Sequence, residues 1–147
     1  MLVIITLISS TSCTNNSDKK TELFSLFLSN QLNANLKDSA NYLIITYMGC
    51  TGCVHKGVNY INRYPQYITL NYEKVIYSNT LLNRIPEIGV FKRNSVCDTS
   101  DRIEYLNLGL SGFSIIKIRK GIISEIINLD IRDTKDDSAL KNYILMN

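Results

Sequence analysis

The stretch Tyr42-Leu43-Ile44-Ile45-Thr46-Tyr47-Met48-Gly49-Cys50-Thr51-Gly52-Cys53-Val54 decides the fold. Its first half is uncharged, β-branched and aromatic, the composition of a strand buried on both faces. Met48-Gly49 breaks the run. Residues 54–63 then carry Val54, Val58 and Ile61 at helical spacing, and Tyr64-Pro65 ends the helix, because the residue before a proline is pushed out of the helical region. A strand that hands two cysteines to the start of a helix has chemical consequences. A thiol in the first turn faces unpaired backbone N–H groups and the positive end of the helix dipole, and both favour the thiolate. The thiolate is the species that attacks disulfides. Cys53 lies one turn beyond Cys50 and on the same side, where it can resolve a mixed disulfide. Thr51 and Gly52 are small and leave the first sulfur open to a partner.

Outward from this stretch, strands and helices alternate. Residues 21–36 carry Leu23, Phe24, Leu26, Phe27, Leu28, Leu32 and Leu36 at a spacing that suits an amphipathic helix, with Thr21 as the expected N-cap. Residues 67–70 read as a short strand or loop, 74–78 as a second buried strand, and 81–85 as the start of a helix that Pro86 interrupts. A short strand is expected within 89–96. Cys97-Asp98-Thr99-Ser100-Asp101 reads as a polar turn, and 103–108 is ambiguous. Residues 113–118 and 122–127 form a hairpin around Arg119-Lys120-Gly121, with glycine available for positive φ. A helix over 136–145 closes the chain. The pattern is that of an α/β domain.

The N-terminus follows a different logic. Residues 2–8 are apolar apart from Thr6, and Ser9-Ser10-Thr11-Ser12-Cys13 follow. Such a segment is too short to cross a bilayer, which takes about 20 apolar residues, and reads as a secretory signal. A cysteine directly after the small residues resembles the lipobox of bacterial lipoproteins. The resemblance implies cleavage before Cys13 and lipidation of its thiol, which places the chain in the cell envelope, facing the periplasm or the cell surface. The expected organisation is a signal peptide over 1–12, a flexible lipid-anchored tether over 13–20, and one domain over 21–147.

The chain has 147 residues, 45% hydrophobic and 20% charged, with a net charge of +3. That length suits one domain with its leader. Charges of both signs are interspersed with no basic block, so nothing points to nucleic acid. The four cysteines are too few and too uneven for a disulfide-dense scaffold.

The strand at 42–47, the Cys50-Thr51-Gly52-Cys53 motif, its helix and the late hairpin resemble the thioredoxin superfamily, in particular the membrane-tethered oxidoreductases of the bacterial envelope. The resemblance implies a three-layer sandwich, with a central mixed sheet and helices on both faces. It implies Cys50 as nucleophile and Cys53 as resolving thiol, with Thr51, Gly52, Gly112 and Phe113 around them. No cofactor is implied, and the partners are disulfide-containing exported proteins or a redox partner of a monomeric chain. Three departures stand out. Met48-Gly49 replaces the usual tryptophan and small residue before the motif. Ser111-Gly112-Phe113-Ser114 lacks the proline that family members carry before the hairpin. The strand before the motif has no acidic residue, and Thr46 and Tyr47 are its nearest polar groups.

The same residues support two other readings. The CxxC can be a structural bridge in an exported interaction module, or half of a metal site completed by His55 and Cys97. Cys97 by itself reads as a small buried residue or a free thiol in a loop.

Overall fold

The strand β1 (Ser39–Ile45) runs through the middle of a five-stranded sheet. On one side it pairs in parallel with β2 (Lys74–Ser78), and β2 pairs in parallel with β3 (Ser95–Asp98). On the other side it pairs antiparallel with β4 (Phe113–Arg119), which returns through a hairpin as β5 (Ile122–Asn128). The strand order is β3-β2-β1-β4-β5. The computed structural model describes residues 16–48, 51–85, 88 and 94–129. The expected signal segment, Cys13, Gly49, Cys50 and the helix expected over 136–145 lie outside the described residues.

Helices cover both faces, so the chain has an α/β architecture around a mixed sheet. Alternation along the strands sorts the side chains into two cores. Leu43, Ile45, Val75, Tyr77, Phe113 and Ile115 point to one face, against α2 (Thr51–Arg63), α3 (Pro65–Asn71) and α4 (Asn79–Arg84). Tyr42, Ile44, Ile76, Ile116, Ile118 and Ile123 point to the other, against Phe24, Phe27 and Leu28 of α1 (Asn16–Leu32). Two-sided burial explains why β1 reads as an unbroken apolar run rather than an alternating one.

Several expectations are corrected. The helix expected from Thr21 begins at Asn16, so residues 16–20 of the expected tether are helical. The first turns of α1 are tied to β5: Ser17 Oγ donates to the Ile123 carbonyl (2.7 Å), and the Ile123 N–H donates to Thr21 Oγ1 (2.9 Å). Thr21 is therefore an interior residue of α1 that receives an edge strand, not its cap. Residues 67–70, expected to be strand or loop, belong to α3, for which Pro65 supplies the first position. A proline there loses no helical hydrogen bond. Cys97 and Asp98, expected in a turn, are in β3, and the turn begins at Thr99. The ambiguous 103–108 region opens with a 3₁₀ turn, Arg102–Tyr105.

Two buried or half-buried aspartates organise this connection. Asp98 accepts from the Ile103 N–H (2.7 Å) and from Ser100 Oγ (2.8 Å). Asp101 accepts from the Thr80 N–H (2.9 Å) and Thr80 Oγ1 (2.8 Å) at the start of α4. The hairpin turn matches its sequence signal: Lys120 and Gly121 both have positive φ (56° and 74°), as a two-residue type I′ turn requires. Lys117 and Glu125 face each other across the hairpin at 3.1 Å.

Phe24 anchors the α1 face, its ring edge-on to Tyr42 at 5.2 Å and stacked on Phe27 at 6.2 Å. Phe24→Ala removes that anchor and is expected to cost about 3–5 kcal/mol. The urea midpoint should fall with the denaturant slope unchanged.

Candidate functional site

The register of the sheet builds the site. Ile45, the last residue of β1, pairs with Phe113, the first residue of β4. The chain leaving β1 therefore runs beside the chain entering β4. The Thr46 N–H donates to the Gly112 carbonyl (3.0 Å), and Thr46 Oγ1 donates to the Ser111 carbonyl (3.0 Å). The same hydroxyl accepts from the Met48 N–H (3.3 Å). Thr46 is fully buried, so its own N–H and hydroxyl are out of water, where an unmet polar group is expensive.

Tyr47 is held by two charged residues from different elements. Its N–H donates to Glu104 Oε1 (2.9 Å), on the 3₁₀ turn. Its hydroxyl accepts from Arg84 Nη1, at the end of α4, and the Arg84 guanidinium stands 4.0 Å from the ring centroid. Neither partner was legible in the sequence. Glu104 falls in the segment without periodicity, and Arg84 looks like an ordinary last-turn cation.

α2 begins at Thr51, six residues after β1 ends, and Cys50 is the residue before it in sequence. Gly52 is exposed and Cys53 half-buried in the first turn, with Cys53 packed at the margin of the α2-side core. Val54, Val58 and Ile61 fill that core, as their spacing predicts. His55 is half-buried rather than exposed.

Gly112 comes against the two ends of the motif. A Cβ at this position would stand 2.8 Å from the Met48 carbonyl oxygen and 3.2 Å from Val54 Cγ2. Only glycine allows the loop so close. The peptide bond leading to Phe113 is trans, and Phe113 is buried in the α2-side core. Side chains brace the loop on both sides of Gly112. The Ser111 N–H donates to Ser114 Oγ (2.9 Å) and to Asn128 Oδ1 (3.1 Å), and Ser114 Oγ donates to Asn128 Oδ1 (2.7 Å). Asn128 Nδ2 donates to the Gly109 carbonyl (2.8 Å). Gly112 thus lies against the residues that flank the motif and Phe113 in the core beneath, while the bracing by Ser114 and Asn128 was not foreseen.

Beside this loop a cleft of about 280 Å³ is lined by Met48, Glu104, Tyr105, Leu108 and Leu110, among others. Met48 is 46% and Tyr105 80% exposed, so the cleft offers apolar surface two residues from Cys50. Cys97 is elsewhere. It is an unbridged thiol on β3, opposite Tyr77 of β2 and therefore two strands from β1. Among the described residues no group of three or more His, Cys, Asp or Glu comes together to hold a metal ion.

Burial pushes the Cys97 thiol above its ordinary range, and the negative charges of Asp101 and Asp98 add to the shift. A raised pKa means less thiolate at a given pH, hence slower alkylation. With the other cysteines replaced by serine, Cys97 should react with iodoacetamide at pH 8 about threefold or more slowly than an open peptide thiol, catching up only in stronger alkali. Equal rates at pH 8 would show the thiol unperturbed. No protein-family model, curated protein or solved structure matches the chain.

Proposed function

We propose that this chain is a thioredoxin-like thiol–disulfide oxidoreductase of the bacterial envelope, with Cys50 as nucleophile and Cys53 as resolving thiol. The observation that carries the reading is that the Cys50–Cys53 sequence falls where a central strand has ended and α2 begins, with Gly112 against Met48 and Val54 on either side of it. Two parallel strands on one side of β1 and an antiparallel hairpin on the other support the thioredoxin-like arrangement.

In the reducing direction the Cys50 thiolate attacks one sulfur of a substrate disulfide. The substrate S–S bond breaks, a Cys50–substrate bond forms, and the other substrate sulfur leaves as thiolate. The Cys53 thiolate then attacks Cys50, forming the Cys50–Cys53 disulfide and releasing the second substrate thiolate. Two electrons pass to the substrate, whose sulfurs take up two protons, and a dithiol donor restores the pair. The oxidising direction is the reverse. The cleft lined by Met48 and Tyr105 offers a seat for apolar side chains beside the substrate disulfide. Such substrates would be exported proteins, met by a domain that Cys13 holds at the membrane through its lipid. Among the described residues no helix is long and apolar enough to cross a membrane.

One observation favours a second reading, an interaction module with a static Cys50–Cys53 bridge. The loop beside the motif is cross-braced and lacks the family's proline, which suits a rigid wall as well as a working site. The reduction potential separates the two, since a structural bridge lies below about −300 mV and a working pair above it.

Cys50→Ser is expected to bring insulin-disulfide reduction down to the uncatalysed background, and Cys53→Ser to accumulate a mixed disulfide visible on non-reducing gels. Wild-type turnover by Cys50→Ser would remove Cys50 as nucleophile. Cys13→Ser should move the protein from the membrane pellet to the soluble envelope fraction, and retention in the pellet would reject Cys13 as the anchor.

A further inference from the structure

Four polar side chains converge on the loop that lies against Met48 and Val54, the residues that flank the CxxC in sequence: Thr46 from the end of β1, Ser111, Ser114 from β4, and Asn128 from β5. Thr46 and Ser114 are fully buried. Thr46 Oγ1 links the Ser111 carbonyl to the Met48 N–H, and Ser114 and Asn128 hold the Ser111 N–H from the opposite side. Gly112, next along, is pressed so near the Met48 carbonyl that a methyl group would collide with it, and would crowd Val54 as well. Met48 precedes Cys50 by two residues and Val54 follows Cys53 by one. The network therefore holds Met48, before the cysteine pair, by a hydrogen bond, and the loop it braces packs through Gly112 on Val54, after the pair.

We propose that this Thr46–Ser111–Ser114–Asn128 network is a positioning device that sets the effective concentration of Cys53 against Cys50, and hence the redox equilibrium of the pair. The inference rests on the oxidoreductase reading above. A disulfide needs its two sulfurs within a narrow geometry. When the flanking chain is held still, one thiol meets the other at a higher effective concentration than when it wanders. In exchange with glutathione, the protein disulfide and two glutathione thiols give the protein dithiol and one glutathione disulfide, so electrons and protons balance. Loosening the brace lowers the effective concentration and shifts that exchange toward the dithiol. It acts through the neighbours of the cysteines and touches no reacting atom.

Thr46→Val keeps the shape of residue 46 and removes its hydroxyl, while Thr46→Ser keeps the hydroxyl. Asn128→Ala loosens the same loop from an exposed position, and serves if a change at buried Thr46 prevents folding. The full-length protein is equilibrated in glutathione buffers, quenched by alkylation, and the peptide carrying residues 50–53 is read by mass spectrometry. Thr46→Val and Asn128→Ala should favour the dithiol about three- to tenfold over wild type, where tenfold corresponds to about 30 mV, and Thr46→Ser should stay within about twofold of wild type. Folded variants whose equilibrium matches wild type would overturn the positioning role and leave the oxidoreductase reading standing. A wild-type pair that never exchanges with glutathione would overturn both.

Discussion

The burial of β1 on both faces, between a parallel and an antiparallel neighbour, is the constraint from which the rest of the structure follows. A parallel partner cannot be reached by a tight turn, so the chain must cross one face of the sheet between β1 and β2. α2 and α3 make that crossing and bury Val54, Val58, Ile61 and Ile68 against the sheet. The antiparallel partner does the reverse and brings the start of β4 level with the end of β1. The pairing of Ile45 with Phe113 makes neighbours of Thr46–Met48 and Ser111–Gly112. The candidate site is thus a consequence of strand direction and register.

At that junction the backbone leaves the sheet and its polar groups need new partners. Thr46 turns its N–H to the Gly112 carbonyl, Tyr47 to Glu104, and Met48 to the Thr46 hydroxyl. Three successive N–H groups are satisfied by three different means, one backbone, one charged and one hydroxyl. Buried polar networks of this kind are rigid when complete and costly when broken. Because Arg84 and Glu104 both fasten Tyr47, the segment that leads into the CxxC is gripped by two elements distant from it in sequence.

The sheet also has edges to protect. β5 would expose unpaired backbone, a template for unwanted strand pairing. The first turns of α1 close it at Ile123, where both the N–H and the carbonyl find hydroxyl partners in Thr21 and Ser17. Lys20 reaches the Leu108 carbonyl (3.0 Å) and ties the same helix to the loop beside the cleft. A stretch that reads as polar linker is instead held by the strand it protects.

Local chemistry alone determined much of this protein. Apolar runs marked β1, β2 and the hairpin, because strands buried on two faces have little room for polar residues. Gly121 marked the turn, because positive φ is hard for most other residues, and the spacing of Val54, Val58 and Ile61 marked the buried face of α2. The motif between strand and helix was legible for the same reason. Tertiary structure decided what no neighbour in sequence could. Residues 16–20 are helix with Ser17 tied to the Ile123 carbonyl of β5, more than a hundred positions away, and residues 67–70 are helix with Ile68 buried in the α2-side core. Cys97 entered a strand because the edge of β2 was open to it. Glu104, Arg84, Ser114 and Asn128 joined the site through hydrogen bonds across the fold, and such bonds leave no periodicity in the chain that makes them.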